Sequence, residues 1–259
     1  MEETAFYRRP DGMSIAYHRG TAQAASAGTG RPGIVFLPGF KSDMQGSKAL
    51  HLRDWAAAQG RAFLRFDYTG HGASSGAFAD GCVGDWFRDA CDVLRALTEG
   101  PQVLVGSSMG GWIALLVMRA MPERVAGLVG IATAADFTED LIWRRMTTAQ
   151  RAILARDGRI VAPSDYADDP YLITRRLIED GRRHLVLRSA LRAPCPVRLL
   201  QGMADPDVPW ETATRLAAHI EGEDVRAILL RGADHRLSGA RELALLAETI
   251  HTLPDPAEA

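Results

Sequence analysis

Short apolar runs and amphipathic stretches alternate along most of the chain. Runs rich in valine, isoleucine, leucine and phenylalanine, which are typical of buried strands, occur at residues 33–37, 62–68, 103–105, 125–132, 197–201 and 225–230. Helical patterns lie between them, at residues 47–59, 85–97, 111–121, 210–220 and 240–252. Because strands that alternate with helices pair in parallel, the pattern predicts an α/β fold whose mainly parallel sheet carries helices on both faces.

The two ends of the chain depart from this alternation. Residues 4–20 alternate loosely around the turn signal Pro10-Asp11-Gly12, which predicts an N-terminal β-hairpin. Residues 21–31 are small and rich in glycine, alanine and serine, which indicates a loop. Residues 254–259 are predicted to form a frayed tail.

A long segment at residues 136–193 also breaks the alternation. It carries two or three helical patterns, one of them beginning at Asp169-Pro170 and ending at Gly181, and no strand pattern. Because the segment is longer than a normal connection, and long excursions are often lids, we predict a helical cap over the carboxyl edge of the sheet. The core of the fold then comprises residues 1–135 and 194–259.

Composition narrows the classes of function. The 259 residues are 47% hydrophobic and 24% charged with a formal net charge of −2, values typical of a globular protein. This balance predicts no nucleic-acid partner, and no apolar run approaches the length of a transmembrane segment. The first ten residues lack an apolar signal core, and Cys82, Cys91 and Cys195 form no C-x-x-C pair. We therefore expect reduced thiols in a cytoplasmic protein.

The candidate chemistry begins at Gly106-Ser107-Ser108-Met109-Gly110. This sequence fits G-x-S-x-G and lies between a predicted strand and an apolar helix, the setting that the motif requires. A nucleophile on such a sharp turn leaves no room for β-carbons two residues to either side, which explains both glycines. The turn also exposes the Ser108 hydroxyl at a helix N-terminus, where negative charge is favoured. We predict Ser108 as the nucleophile of an acyl transfer.

A second match to the motif occurs at Gly72-Ala73-Ser74-Ser75-Gly76. It follows a predicted strand, but a loop rather than an apolar helix comes after it. We interpret it as a glycine-rich surface turn.

A serine nucleophile needs a base, and in folds with this elbow the order along the chain is Ser, then Asp or Glu, then His. His235 lies in a loop directly after the last predicted strand, where a base can reach the site, and it is our candidate. The other histidines after Ser108 fall in the predicted cap or in helices, where packing or surface roles are expected; they are His184, His219 and His251.

Three carboxylates are candidates for the group that orients the base. Asp205 is the first acidic residue after the penultimate core strand, and we prefer it. Asp207 is expected to cap the next helix. Asp136, which follows an earlier strand, is a weaker alternative.

The developing oxyanion needs two backbone N–H donors that face one oxygen. Met109, directly after the nucleophile, is predicted to supply one of them. Phe40, just beyond Gly39 in the loop after the first central strand, is predicted to supply the other.

Seven stretches together resemble a known family; they are residues 36–39, 65–68, 105–112, 132–136, 195–202, 208–210 and 234–236. They resemble the α/β-hydrolase family, and within it the chain is similar to the mitochondrial acyl-protein thioesterases, depalmitoylases that also cleave drug acyl-glucuronides. The resemblance implies the α/β-hydrolase fold, with Ser108 as nucleophile, Asp205 as acid and His235 as base. It implies no metal or cofactor. Pro38-Gly39 replaces the His-Gly of many members, which leaves the Phe40 donor intact.

The substrate is less constrained than the chemistry. Trp143, Met146, Leu172 and Ile173 are candidates to line an acyl pocket, although packing within the cap is the better explanation for most of them. Eleven arginines in the cap suggest an anionic leaving group such as coenzyme A or glucuronate, but nine acidic residues favour solvated helix faces. We predict an acyl-protein thioesterase-like serine hydrolase. The alternatives are a small-molecule carboxylesterase, an acyl-CoA thioesterase, or a non-catalytic binding protein.

Overall fold

A computed structural model describes residues 3–20, 31–162 and 171–253. The strands within these residues are β1 (Ala5–Arg8), β2 (Ser14–Gly20), β3 (Gly33–Leu37), β4 (Phe63–Phe66), β5 (Gln102–Ser107), β6 (Val125–Ile131), β7 (Arg159–Ala162), β8 (Tyr171–Thr174), β9 (Leu191–Arg192), β10 (Val197–Gly202), β11 (Ile220–Glu221) and β12 (Val225–Leu230). The α-helices are α1 (Ser47–Ala58), α2 (Val83–Leu97), α3 (Met109–Ala120), α4 (Thr148–Asp157), α5 (Arg175–Gly181), α6 (Glu211–His219) and α7 (Ala240–His251). A π-helical turn spans Thr138–Ile142, and 3₁₀ turns span Phe78–Asp80, Pro122–Arg124, Trp143–Arg145 and Arg182–His184.

Eight of the strands form one sheet in the order β1-β2-β4-β3-β5-β6-β10-β12. β2 pairs antiparallel with both β1 and β4, and the other neighbours pair in parallel. The predicted mainly parallel sheet and the N-terminal hairpin are therefore confirmed.

The sheet is buried on both faces, as the alternation in β3 illustrates. Ile34 and Phe36 belong to a core shared with α1 and α7, whereas Val35 and Leu37 belong to a core shared with α2 and α3. All four side chains are buried. Successive residues of a strand point to opposite faces, so a strand covered on both sides has no polar position, which is why it reads as a continuous apolar run.

The segment at residues 136–193, which we call the inserted segment, contains a β-hairpin that the sequence analysis did not predict. β7 pairs antiparallel with β8, and Ile160 lies opposite Ile173. The helix expected to begin at Asp169-Pro170 begins only after β8, where the Thr174 hydroxyl accepts a hydrogen bond from the Leu177 amide at 3.1 Å and caps α5. The prediction of a purely helical cap is therefore wrong, since a four-residue strand leaves too short a pattern to recognise.

Asp136 ties the beginning of the inserted segment to the part near its end. Its carboxylate accepts hydrogen bonds from the amides of Val186 and Leu187 at 2.8 and 3.1 Å and from the Arg188 guanidinium at 2.6 Å. Burial raises the pKa of Asp136, although these bonds partly oppose the shift. With its oxygens committed in this way, Asp136 is not the acid that orients the candidate base.

Two of the remaining sequence predictions concern residues that, apart from Arg31, the structure does not describe. The loop predicted at residues 21–31, apart from Arg31, and the tail at residues 254–259 lie outside the described residues. In the part of the chain that is described, no helix has the length and apolar character needed to cross a membrane.

Candidate active site

The turn between β5 and α3 places Ser108 in a strained conformation, with φ 55° and ψ −115°. A β-carbon on Gly106 would overlap the carbonyl of Gly110, and one on Gly110 would overlap the carbonyl of Leu37. Both glycines are thus required by close backbone approach, as predicted from the motif. A positive φ at a serine is costly, and it is maintained here because the surrounding backbone fixes the turn.

Ser108 is the first member of a hydrogen-bonded chain of three side chains. Its Oγ lies 3.1 Å from Nε2 of His235, and Nδ1 of His235 lies 2.7 Å from Oδ2 of Asp205. Because an ionised carboxylate can only accept, Nδ1 carries the proton and Nε2 is left to accept from the serine hydroxyl. The Asp205 side chain is inaccessible to solvent, whereas that of His235 is 16% exposed.

Asp205 is held by more than the imidazole. Its Oδ1 accepts from the amides of Asp207 and Val208, both at 2.9 Å, and its Oδ2 accepts from Nε2 of Gln201 at 2.9 Å. Burial raises the pKa of Asp205, but the hydrogen bonds from His235 and the two amides outweigh it, so the pKa lies below its usual range. The structure thus brings Asp205 rather than Asp207 to the imidazole.

Asp207 does not have the role that the sequence suggested. It was expected to cap α6, but the N-cap residue of that helix is Trp210, whose side chain makes no capping hydrogen bond.

The other histidines considered lie elsewhere. Nε2 of His184 is 3.6 Å from Asp180, and Nε2 of His219 contacts the carbonyl of Val186 at 3.0 Å. His251 ends α7. None of the three is within hydrogen-bond distance of Ser108 in the described structure.

The backbone of the loop after β3 lies against the elbow. A β-carbon on Gly39 would be 3.3 Å from the Ser107 carbonyl and 3.4 Å from Cβ of Ser108, so the next residue, Phe40, is close to the nucleophile. Met109 is the first residue of α3, and the amide of a first residue has no acceptor within its helix. Both predicted oxyanion donors therefore belong to backbone that borders Ser108.

A cavity of about 750 Å³ opens at Ser108 and His235. The inserted segment supplies much of its apolar wall, including Leu141, Ile142, Met146, Ile160, Tyr171 and Ile173. Charged side chains of both signs also line the cavity; they are Asp43, Lys48, Arg145, Asp207 and Arg236.

The four predicted pocket residues divide into two pairs. Met146 and Ile173 line the cavity, whereas Trp143 and Leu172 do not. The Trp143 ring instead packs against two guanidinium groups, those of Arg151 and Arg182, at 4.8 and 4.5 Å from the ring centre.

Asp205, Asp207 and His235 also bring metal-type ligand atoms within 4.8 Å of one another. The facing atoms of Asp205 and His235 are hydrogen-bonded to each other, and Oδ1 of Asp205 accepts from two amides. These hydrogen bonds explain why the groups lie close together: they orient the base. Few lone pairs are then left to bind a metal ion.

The second G-x-S-x-G match is committed to structure. The Ser74 and Ser75 hydroxyls accept hydrogen bonds at 2.8 Å from the amides of Ala16 and Ser14 in β2. Both serines are half-buried and bonded to β2, an interior strand of the sheet, so the segment is more than the surface turn predicted.

Two residues near the site carried no sequence signal. Lys48 lines the cavity, and its ammonium donates to the carbonyl of Arg236 at 2.5 Å, directly after the candidate base. Burial lowers the pKa of Lys48 to about 8, opposed by the nearby Asp234 carboxylate. The second residue, His71, lies beneath the loop that carries Phe40.

Comparison with known proteins supplies independent evidence. Residues 34–248 match the Alpha/beta hydrolase family. Palmitoyl-protein thioesterase ABHD10, mitochondrial, from Bos taurus is 37% identical over 252 residues, covering 97% of this chain and 80% of the relative. The protein of that name from Rattus norvegicus is 38% identical over 252 residues, covering 97% and 82%. The predicted resemblance is confirmed.

Solved structures agree with the sequence matches. A putative hydrolase from Agrobacterium vitis S4 has a TM-score of 0.89 at 42% identity, covering 96% of this chain and 97% of that one. Alpha/beta hydrolase domain-containing protein 10 from mouse has a TM-score of 0.86 at 36% identity, with the same coverage. Est1E from Butyrivibrio proteoclasticus, at 18% identity and a TM-score of 0.78 over 95% of this chain and 96% of that one, shares the fold alone.

Proposed function

The chain belongs to the alpha/beta hydrolase family and is a hydrolase, and from this premise we propose that it cleaves acyl thioesters and esters through an acyl-enzyme on Ser108. The observation that carries the proposal is the chain of hydrogen bonds from Ser108 through His235 to Asp205 at the mouth of a largely apolar cavity. A fully assembled relay of this kind argues against a non-catalytic binding protein.

In the acylation step, the Ser108 oxygen attacks the acyl carbonyl carbon while Nε2 of His235 takes the hydroxyl proton. The amides of Phe40 and Met109 donate to the carbonyl oxygen as it becomes negative. Asp205 stabilises the imidazolium through Nδ1. When the tetrahedral intermediate collapses, the bond to the leaving sulfur or oxygen breaks, and His235 returns its proton to that atom.

Deacylation reverses these roles with water as the nucleophile. His235 takes a proton from water as the water oxygen attacks the acyl carbon, and the same two amides hold the second oxyanion. Collapse of this intermediate breaks the bond to Ser108, which regains its proton from His235. The carboxylic acid is released without any metal or cofactor taking part.

We assign the apolar wall of the cavity to a long acyl chain. Met146 and Ile173 lie on that wall, and the volume of about 750 Å³ suits a drug-sized or larger apolar ligand. The relatives named palmitoyl-protein thioesterase point to the same class of substrate. In this proposal the inserted segment, residues 136–193, acts as a cap over the acyl chain.

We assign the charged side chains of the cavity to the leaving group. Because Asp43 and Asp207 line the same cavity as Lys48, Arg145 and Arg236, it is not a dedicated anion site. This favours the cysteine of an acylated protein over coenzyme A or glucuronate. A small-molecule carboxylesterase and an acyl-CoA thioesterase are the alternatives that the substrate profile decides.

We place the enzyme in the cytoplasm, although the relatives are named mitochondrial. The support is that its three cysteines are free thiols, which persist in a reducing compartment. Fractionation of the source cells with an antibody to the protein tests this location.

The test of the function is a fluorophosphonate labelling and turnover experiment on Ser108→Ala. We expect labelling to disappear and turnover of acyl thioesters and para-nitrophenyl esters of graded chain length to fall about 10⁴-fold or more. Ser74→Ala is the matched control, because it changes the central serine of the other G-x-S-x-G match. This variant should keep both the labelling and the turnover of the wild type. Retained labelling in the Ser108 variant, or a wild-type protein that neither labels nor turns over, contradicts the proposal.

A further inference from the structure

His71 is a buried histidine that takes no part in the relay. It lies in the loop between β4 and α2, and only 4% of its surface is exposed. The adjacent glycines, Gly70 and Gly72, both have positive φ, at 75° and 46°. A β-carbon on Gly70 would be 2.8 Å from backbone atoms of the same loop, and one on Gly72 would overlap the Asp67 carboxylate. The loop is therefore tightly constrained around the imidazole.

Both ring nitrogens of His71 have backbone partners. Nδ1 lies 3.2 Å from the carbonyl of Thr69, which can only accept, so Nδ1 carries the proton. Nε2 then accepts from the amide of Lys41 at 3.2 Å. Thr69 is fixed in turn, because its amide and hydroxyl both donate to Asp89 at 2.8 Å.

Lys41 directly follows Phe40, the residue whose amide the mechanism uses. Lys41 has φ 58°, a left-handed conformation that a residue with a side chain adopts only when other contacts hold it. The bond from its amide to His71 is such a contact, and it fixes the peptide that directly follows Phe40.

The side chain of Phe40 rests on the same support. His71 meets the rings of Phe78 and Trp86 edge to face, at 5.1 and 5.2 Å between centroids. Phe40 meets those two rings at 4.8 and 5.8 Å. The imidazole therefore contacts the backbone after Phe40 and two of the rings beneath its side chain.

We infer that His71 is a positioning residue for the oxyanion hole, which it serves as a neutral imidazole that accepts from the Lys41 amide and fixes the Phe40 N–H. This inference rests on the proposed function. Burial lowers the pKa of His71 to about 4, opposed by the Thr69 carbonyl and the Asp43 carboxylate, so Nε2 stays an acceptor at neutral pH.

The test compares His71→Gln with His71→Asn, which differ by one methylene. The glutamine oxygen reaches the place of Nε2 and can accept from Lys41, whereas the shorter asparagine reaches only the place of Nδ1. We expect kcat/KM of the asparagine variant to fall about 10- to 100-fold, through a lower kcat. This loss is somewhat smaller than that caused by removing an oxyanion donor entirely. The glutamine variant should stay within about threefold of the wild type.

A trifluoromethyl ketone inhibitor, which forms a tetrahedral oxyanion on the nucleophile, provides a second readout. Its Ki should rise by the same factor as kcat/KM falls, while the Ki of a product fatty acid stays unchanged. The control is His18→Asn, since His18 is a buried histidine on β2 that is not among the residues lining the cavity and is bonded to Thr4 at 3.1 Å. It should lower the melting temperature and leave kcat/KM unchanged.

Equal kcat/KM in the two His71 variants overturns the inference, whether both are low or both match the wild type. An inhibitor Ki that does not follow kcat/KM overturns it as well. These outcomes are distinct from failure of the proposed function, in which the wild type itself is inactive or Ser108→Ala keeps its turnover.

Discussion

The two oxygens of Asp205 are not equivalent, and this decides how the residue responds to substitution. Oδ1 accepts from the backbone amides of Asp207 and Val208, which are donors that cannot reverse. Oδ2 accepts from Gln201 and faces Nδ1 of His235. An asparagine at this position must keep its oxygen toward the two amides, so its NH₂ group turns to the imidazole.

Asp205→Asn is therefore expected to invert the tautomer of His235. With an NH₂ donor facing it, Nδ1 must accept, the ring proton moves to Nε2, and Nε2 can no longer take the proton of Ser108. We expect kcat to fall about 10⁴-fold with little change in KM, measured on a para-nitrophenyl ester. The control is Asp234→Asn, the same chemical change at an exposed neighbour of the base, which should retain activity. A fall in kcat below about tenfold for Asp205→Asn would show that another group orients the base.

Ser108, Asp205 and His235 can be predicted from the sequence, but the reasons do not apply to His71. Ser108 and His235 each follow a strand, and a motif or the order along the chain singles them out. Asp205 was preferred to Asp207 by order alone, and the structure brings it to the imidazole. His71 cannot be found this way, because its partner Lys41 is 30 positions away and carries only a backbone amide to the bond.

At the scale of elements, predictability follows length. The buried strands of the sheet read as runs of apolar residues, and their helices carry a repeated apolar face. β7 and β8 have four residues each, too few to establish a period, and β8 leads directly into α5. The inserted segment is consequently the part of the described fold that sequence reasoning predicted least well.

The missed strand β8 nevertheless determines one wall of the cavity. Ile173 is buried and lines the cavity, whereas its neighbour Leu172 is half-buried and does not. Neighbouring strand residues point to opposite faces, so the same enlargement should affect the substrate at position 173 and not at position 172.

We expect Ile173→Trp to shift the preferred acyl chain to shorter lengths and to lower kcat/KM for palmitoyl substrates at least tenfold, the effect of a few missing methylenes. Leu172→Trp should leave the chain-length profile unchanged. The measurement is kcat/KM over a series of acyl thioesters from two to sixteen carbons. Identical profiles for the two variants would mean that the acyl chain does not lie against β8.

At the scale of the whole molecule, buried ionisable groups make stability depend on pH in two opposite directions. Burial raises the pKa of the carboxyls of Asp67, Asp89 and Asp136, although hydrogen bonds oppose the shift in each case. Their folded forms take up protons before their unfolded forms, so these groups favour folding as the pH falls. Burial lowers the pKa of His71, which acts the other way.

The contribution of His71 can be separated from the others by its pH range. An unfolded histidine titrates near 6.5 and the buried one near 4, so between these values the unfolded state binds more protons, and the free energy of unfolding decreases as the pH decreases. Above pH 6.5 His71 causes no such loss of stability. By pH 4 the loss should reach about 3 kcal/mol, at 1.36 kcal/mol for each pH unit. Guanidinium unfolding between pH 4 and 7.5 measures it as the difference between wild type and His71→Gln. As the pH falls below 6.5, the free energy of unfolding of the wild type should decrease steadily relative to that of His71→Gln. Parallel curves for the two proteins would mean that the imidazole is protonated as readily in the folded protein as in the unfolded chain, and that it does not remain the neutral acceptor that the Lys41 amide requires.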